Sequence, residues 1–351
     1  MTGDELQQEV KSGELVMDRD LAGNDFSGAD LAGGVFMNTD FSDCSFRGCK
    51  LNEAGFINCT FNRADFSATV FGKASFVEPV MEAARFVDAD VSNCNFVSAR
   101  MTRADFTAAN LFQANFVDPD LSGACFDRAK LNFTNLINPN LENASFSEAN
   151  LERTNFIEAR LLGVTIQGAY LNKTVFVKPD LSGQDFSGMN LSMSQFREAS
   201  MKGCRFVGAD LTQTSFMEAD LENAVFDHAI ANNAIFYGAN MKGCSMQETR
   251  LEQASMQECN LYESNLTKAK LVQAQMANAN CQAALFTSAD LTYADLSHAD
   301  LRDANLMHAE LFRTNLHEVI DDAAMWEGSS KSTALATDEK RANAEQWKPK
   351  Q

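Results

Sequence analysis

Ala289-Asp290-Leu291-Thr292-Tyr293-Ala294-Asp295-Leu296-Ser297-His298-Ala299-Asp300-Leu301 repeats a small residue, an acid and a leucine at intervals of five. Taking the leucine as a centre, the same spacing extends back along the whole chain. From Val16, Leu21, Phe26, Leu31 and Phe36 to Leu306, Leu311 and Leu316, sixty-one consecutive centres are large and apolar, with Ala231 and Cys281 as small exceptions. No insertion or deletion interrupts the count. A period of five fits neither the 3.6 of a helix nor the 2.0 of a strand. It therefore signals a repeat architecture.

Two places before each centre sits a small residue, as at Ala29, Ala54, Ala64 and Ala104, and one place before it is often Asp or Asn, as at Asp30, Asp65, Asn110 and Asn150. The unit reads A-(D/N)-(L/F)-x-x. With this motif over about residues 14–318, the chain resembles the pentapeptide-repeat family. The resemblance implies an all-β fold, a right-handed quadrilateral parallel β-helix with four pentapeptides per coil. The residues give a 20-residue coil independently. Pro79, Pro119, Pro139 and Pro179 are separated by multiples of 20 and would stack in one column. Centres ending in 6 are mostly Phe and those ending in 1 mostly Leu, so opposite sides carry like residues and can interdigitate. About fifteen such coils at ~4.8 Å per rung predict a rod of roughly 70 Å.

The ends need covers, because an open β-helix presents unpaired edges. Residues 1–13 read as an N-terminal cap. Thr2 and Glu5 can form a capping box, Leu6 and Val10 share one helical face, and Gly13 is a stop. Residues 319–327, with Ile320 and Met325, are expected to form a C-terminal helical cap, and 328–351 a flexible tail in which Trp347 is either a docking residue or part of a frayed end. Near residue 240 the Phe centres give way to Met246, Met256, Leu266 and Met276 within the same register.

The chain is acidic, with a net charge of −19, and residues 14–318 hold 39 acids against 23 bases. Such a surface lacks the clustered Lys and Arg of non-specific nucleic-acid binding. Seven of the nine cysteines, Cys44, Cys49, Cys59, Cys94, Cys204, Cys244 and Cys259, occupy the small position and Cys281 replaces a centre. They read as small apolar residues rather than a disulfide or metal framework, and reduced thiols suit a cytoplasmic location. The start of the sequence has no signal-peptide pattern and no run is long enough for a membrane helix. His228, His298, His308 and His317 share no column on adjacent coils, and no nucleophile elbow or phosphate loop occurs. No enzyme activity, cofactor, metal or small-molecule substrate is expected.

With the interior filled, function falls to the outer faces. One outward column reads Met17, Met37, Ile57, Val77, Val97, Val117, Ile137, Ile157 and Val177, whereas its opposite reads Ser27, Arg47, Ser67, Val87, Thr107, Asp127, Ser147, Gln167 and Ser187. The seven β-branched residues from Ile57 to Val177 form the candidate protein-binding ridge, for a foreign protein or for a second copy in a homodimer. The other reading is that β-branched residues simply favour a sheet exterior. The resemblance adds two expectations. Some relatives of this kind are encoded beside type VI secretion components, which implies a non-enzymatic scaffold or adaptor linked to a bacterial secretion system. The quinolone-resistance branch implies an acidic mimic of duplex DNA that occupies DNA gyrase. Duplex DNA of 70 Å would carry about 40 charges, far above this chain's net value, and its bases are interspersed among the acids.

Overall fold

Each pentapeptide turns one corner, and the side chains explain the motif. In the computed structural model, which describes residues 1–347, all sixty-one centres are buried. The Asp or Asn before a centre accepts the N–H two residues on: Ser42 to Asp40 at 2.9 Å, Thr107 to Asp105 at 3.0 Å, Thr292 to Asp290 at 3.2 Å. This Asx turn holds the corner, whose next residue is left-handed, as at Asp43 (φ 59°), Glu53 (φ 59°) and Gln113 (φ 56°). Left-handed backbone costs a non-glycine residue about 1–2 kcal/mol. Bonds between successive rungs offset it, for example Leu21 N–H to Asp40 carbonyl and Gly23 N–H to Ser42 carbonyl, both 2.8 Å.

The small residue points inward under a carbonyl of the preceding coil. At several Thr and Cys positions the polar atom donates there, Thr134 to Leu111 at 2.6 Å, Thr154 to Leu131 at 2.7 Å and Cys44 to Leu21 at 2.9 Å, whereas Thr39, Cys59 and Cys94 donate to the carbonyl two residues before them. Cysteine thus stands in for threonine, as a buried thiol with no disulfide among the described residues. Burial pushes the Cys44 thiol up to about 11 and those of Cys94 and Cys281 up to about 12. Thiolates carry the reactivity of cysteine. A thiol-reactive chromophore added to the native protein should therefore modify Cys125, the only half-exposed cysteine of the nine, and reach the other eight only on unfolding.

The chain divides into two compact units, Met1–Asp180 and the residues from Leu181 onward. The first begins with helix α1 (Gly3–Lys11). Its capping box is formed as expected, Glu5 N–H to Thr2 Oγ1 at 3.3 Å and Thr2 N–H to Glu5 Oε2 at 2.7 Å, and Leu6 and Val10 are buried. The Phe36 ring and Val10 together explain a missing methyl group. A Cβ on Gly34 would come 2.7 Å from the Phe36 ring and 3.0 Å from Val10 Cγ2. Gly34→Ala should destabilise the first unit by about 1–3 kcal/mol through overpacking, seen in a denaturant midpoint and in loss of α1 amide protection.

Nine three-residue strands follow: β1 (Leu15–Met17), β2 (Val35–Met37), β3 (Gly55–Ile57), β4 (Ser75–Val77), β5 (Asn95–Val97), β6 (Asn115–Val117), β7 (Asn135–Ile137), β8 (Asn155–Ile157) and β9 (Val175–Val177). They pair in parallel in sequence order, each residue against the one 20 places on. Regular strands thus mark about nine turns, fewer than the fifteen coils expected. Elsewhere the same register is kept by single bridges such as Asp25↔Ser45 and Asp40↔Thr60. Phe36, Phe56, Phe76, Phe96 and Phe116 stack behind the strands at 4.7–4.8 Å between rings.

The proline column has a local cause. On three sides of a coil the small residue's N–H closes a turn, as in Asn24 to Leu21 (3.4 Å), Ala29 to Phe26 (3.0 Å) and Gly34 to Leu31 (3.1 Å). On the strand side the chain runs extended through the centre instead. Pro79, Pro119 and Pro139 sit there, where a missing N–H breaks no turn, and their carbonyls still accept from Arg100, Asn140 and Arg160 at 2.9–3.0 Å.

The second unit opens with β10 (Gln195–Arg197) and continues as single bridges in the same register, up to Asn315↔Leu335. Met246, Met256 and Met276 are as fully buried as the Phe centres they replace, so the composition shift changes the filling of the rungs and not their register. The helical cap expected at 319–327 is corrected. Ile320 and Met325 bridge Asp300 and Asn305 as another turn of the repeat, and their side chains point outward, 46% and 47% exposed. The helix lies further on, at α2 (Glu339–Glu345), inside the stretch expected as a flexible tail. Asp338 caps it, accepting from the N–H groups of Lys340 and Arg341. Trp347 is 71% exposed, and residues 348–351 of the expected tail lie outside the described residues.

Candidate protein-binding face

The candidate residues Ile57, Val77, Val97, Val117, Ile137, Ile157 and Val177 are the third residues of β3 to β9 and stand directly opposite one another in the ladder. The middle residue of each strand turns inward, so the third points out. Each is half-buried, because side chains one rung apart cover one another. The result is a flat apolar strip and not a row of protruding knobs. Only Met17, at the start of the column, is more open, at 39%.

Polar ladders border the strip on both sides. On the side of the first strand residues, Asn115 Nδ2 donates to Asn95 Oδ1 at 2.8 Å and Asn155 Nδ2 to Asn135 Oδ1 at 2.7 Å. On the other side Asn38 donates to Asp18 at 3.0 Å and Asn138 to Asp118 at 2.9 Å. These bonds run along the solenoid; Gly55, Ser75 and Val175 interrupt the first border, and Glu78, Ser98, Glu158 and Lys178 make the second a mixed charged and polar one. The strip coincides with the one regular sheet of the unit. The opposite side, which carries Ser27, Thr107 and Asp127, is joined only by single bridges such as Asp25↔Ser45 and Asp105↔Cys125, so extended geometry and β-branched residues go together here.

The acidic surface is neutralised locally. The Arg63 guanidinium grips Asp43 one rung away at 2.6 and 2.7 Å and holds that carboxyl below its ordinary value. Lys202 bridges Asp220 and Glu222, and Arg302 pairs with Asp300. These exposed pairs contribute little to stability, but they break up any continuous file of negative charge.

Sequence reasoning missed one cluster. His298 and His317, 19 residues apart, are neighbours on successive turns with ring centroids 5.2 Å apart, and Glu345 of α2 reaches both. A search of columns at spacings of 20 passes over a diagonal pair, and the carboxylate arrives only because α2 folds back. Among the described residues this is the one set of three side chains with metal-type donor atoms in mutual reach. Among the described residues no helix is long and apolar enough to cross a membrane.

Five-residue corners, 20-residue rungs and a solid apolar interior define a parallel β-solenoid. The family model for pentapeptide repeats matches residues 20–54, 39–77, 84–123, 134–176, 244–280 and 279–317, and that for a pentapeptide repeat region matches 180–256. The chain belongs to the pentapeptide-repeat family.

Among solved structures, it is similar to trypsin-treated QnrB1, a plasmid-mediated fluoroquinolone resistance protein, at 22% identity over 60% of this chain and 88% of that one, with a TM-score of 0.31. It is also similar to HetL, a pentapeptide repeat protein involved in heterocyst differentiation regulation in the cyanobacterium Nostoc sp. strain PCC 7120, at 19% identity over 96% and 98% of the two chains, with a TM-score of 0.18. A pentapeptide repeat protein of the Arabidopsis thaliana thylakoid lumen shares 31% identity over 35% of this chain and 69% of its own, with a TM-score of 0.18. No curated protein matches.

Proposed function

We propose that this chain is a non-enzymatic scaffold that binds a protein through the Ile57–Val177 strip. The observation that carries the reading is the contrast between two equivalent columns. One is apolar over seven successive rungs and has mostly polar neighbours on either side; the other carries Ser, Thr, Arg and Asp in the same unit. A flat apolar face with a polar border suits another protein surface, either a foreign partner or a second copy related by a two-fold axis. A cytoplasmic adaptor role in a bacterial secretion system belongs to this reading.

Mimicry of duplex DNA toward gyrase is the second reading, favoured by the net charge of −19. The pairing of Arg63, Lys202 and Arg302 with acids beside them supports the scaffold instead. Salt separates the two. A complex made through the strip persists when ionic strength rises to about 0.5 M, whereas one made by charge falls steeply over the same range.

A further inference from the structure

His298, His317 and Glu345 first suggest a metal site. Glu345 Oε2 lies 3.2 Å from His317 Nε2 and 3.3 Å from His298 Nε2, close to the edge of a tetrahedron with bonds of about 2.0 Å. The far side of the His317 ring decides otherwise. Its Nδ1 accepts the Asp338 backbone N–H at 3.1 Å. A neutral imidazole that accepts at Nδ1 carries its proton on Nε2, so Nε2–H donates to Glu345. A metal-bound imidazole needs the reverse, a bare Nε2 and an Nδ1–H facing an acceptor. The donor set does not fit a metal.

We propose that residues 336–347 form a strap, and that His317 fastens it over the end of the second unit. One ring holds α2 at both ends, through its N-cap Asp338 and its last residue Glu345. Two other polar contacts accompany this ring, His298 Nε2 to the same Glu345 oxygen at 3.3 Å and Glu318 N–H to Thr337 Oγ1 at 3.1 Å. α2 buries only Ala342, and seven residues are too few to keep a helix unaided. The Arg341–Glu345 pair, at 2.7 Å, lies within α2 and adds nothing to docking. His317 is 2% exposed, so its two bonds face little competition from water. The chain before the strap is tied separately, by Leu316 N–H to the Leu335 carbonyl at 2.9 Å and Leu335 N–H to that of Thr314 at 2.8 Å. Release therefore begins after Leu335, breaks the Glu318 N–H to Thr337 Oγ1 bond and removes the helix as one piece. It uncovers Leu316 and Val319, which lie beside Ala336 and Thr337.

Hydrogen–deuterium exchange on the full chain tests this with His317→Phe, which keeps the ring but removes both nitrogens, and with the exposed change Glu345→Ala. In each variant the α2 amides of Ala342 and Gln346 should lose protection by roughly tenfold or more. The double variant should lose less than the two singles combined, because both remove the same His317–Glu345 bond. The amides of Leu296 and Leu301, bonded to Asn315 and Ile320, should keep theirs. The proposal is overturned if α2 stays protected in either single variant, if the losses add in the double variant, or if they extend equally to Leu296 and Leu301. It is also overturned if zinc chloride raises α2 protection in the unmodified protein.

Discussion

Phe96→Ala should cost the first unit about 3–5 kcal/mol, near the top of the range for truncating a buried aromatic. Phe96 is fully buried and stacked between Phe76 and Phe116, each 4.8 Å away with rings within 4° of parallel. In many cores a cavity closes partly as neighbours relax. Here the rungs are pinned by Glu78 N–H to the Val97 carbonyl and Ser98 N–H to that of Val117, both 2.9 Å, so the coil cannot collapse onto the gap. Phe96→Leu should cost much less, because Leu136 already fills that column against Phe116. Urea denaturation of the three proteins checks the order. A loss below about 1 kcal/mol for the alanine variant would mean that the stack contributes far less than its burial implies.

Val117→Asp with Ile137→Asp should remove partner binding or self-association while leaving the solenoid folded. The two positions are adjacent rungs at the middle of the strip, so charges there must be desolvated by any protein that covers it. The fold itself tolerates such a change, since Asp127 already occupies the equivalent outward position on the opposite side. That side also supplies the control. Thr107→Asp with Ser147→Asp adds the same charge to the polar column and should leave binding intact. If charge drives association instead, both double variants would bind at least as well as the parent, and high salt would weaken all three.

The interior was legible from the sequence because each inward position obeys one rule, five residues long, from Val16 to Leu316. The capping box at Thr2 and Glu5 is equally local, and so is the column of prolines. Other features depend on what lies a coil away. That β1 to β9 line only one face follows from where turn bonds close, which a residue pattern does not display. The contact between His298 and His317 runs diagonally across two turns. α2 was missed because Glu339–Glu345 is short and polar, with one buried residue, and is held by a histidine 28 residues before its last carboxylate. The strip was found as a column, but its half-burial comes from rungs shading one another.

The central claim, that the Ile57–Val177 strip is the binding surface, is tested most directly by light scattering and affinity capture from native lysate on the parent and the Val117→Asp/Ile137→Asp variant. The account predicts that a captured protein or a doubled mass is present in the parent at low and high salt and absent in the variant, with matching circular dichroism. Identical partners and identical mass in both proteins would contradict it and leave the strip as plain sheet exterior.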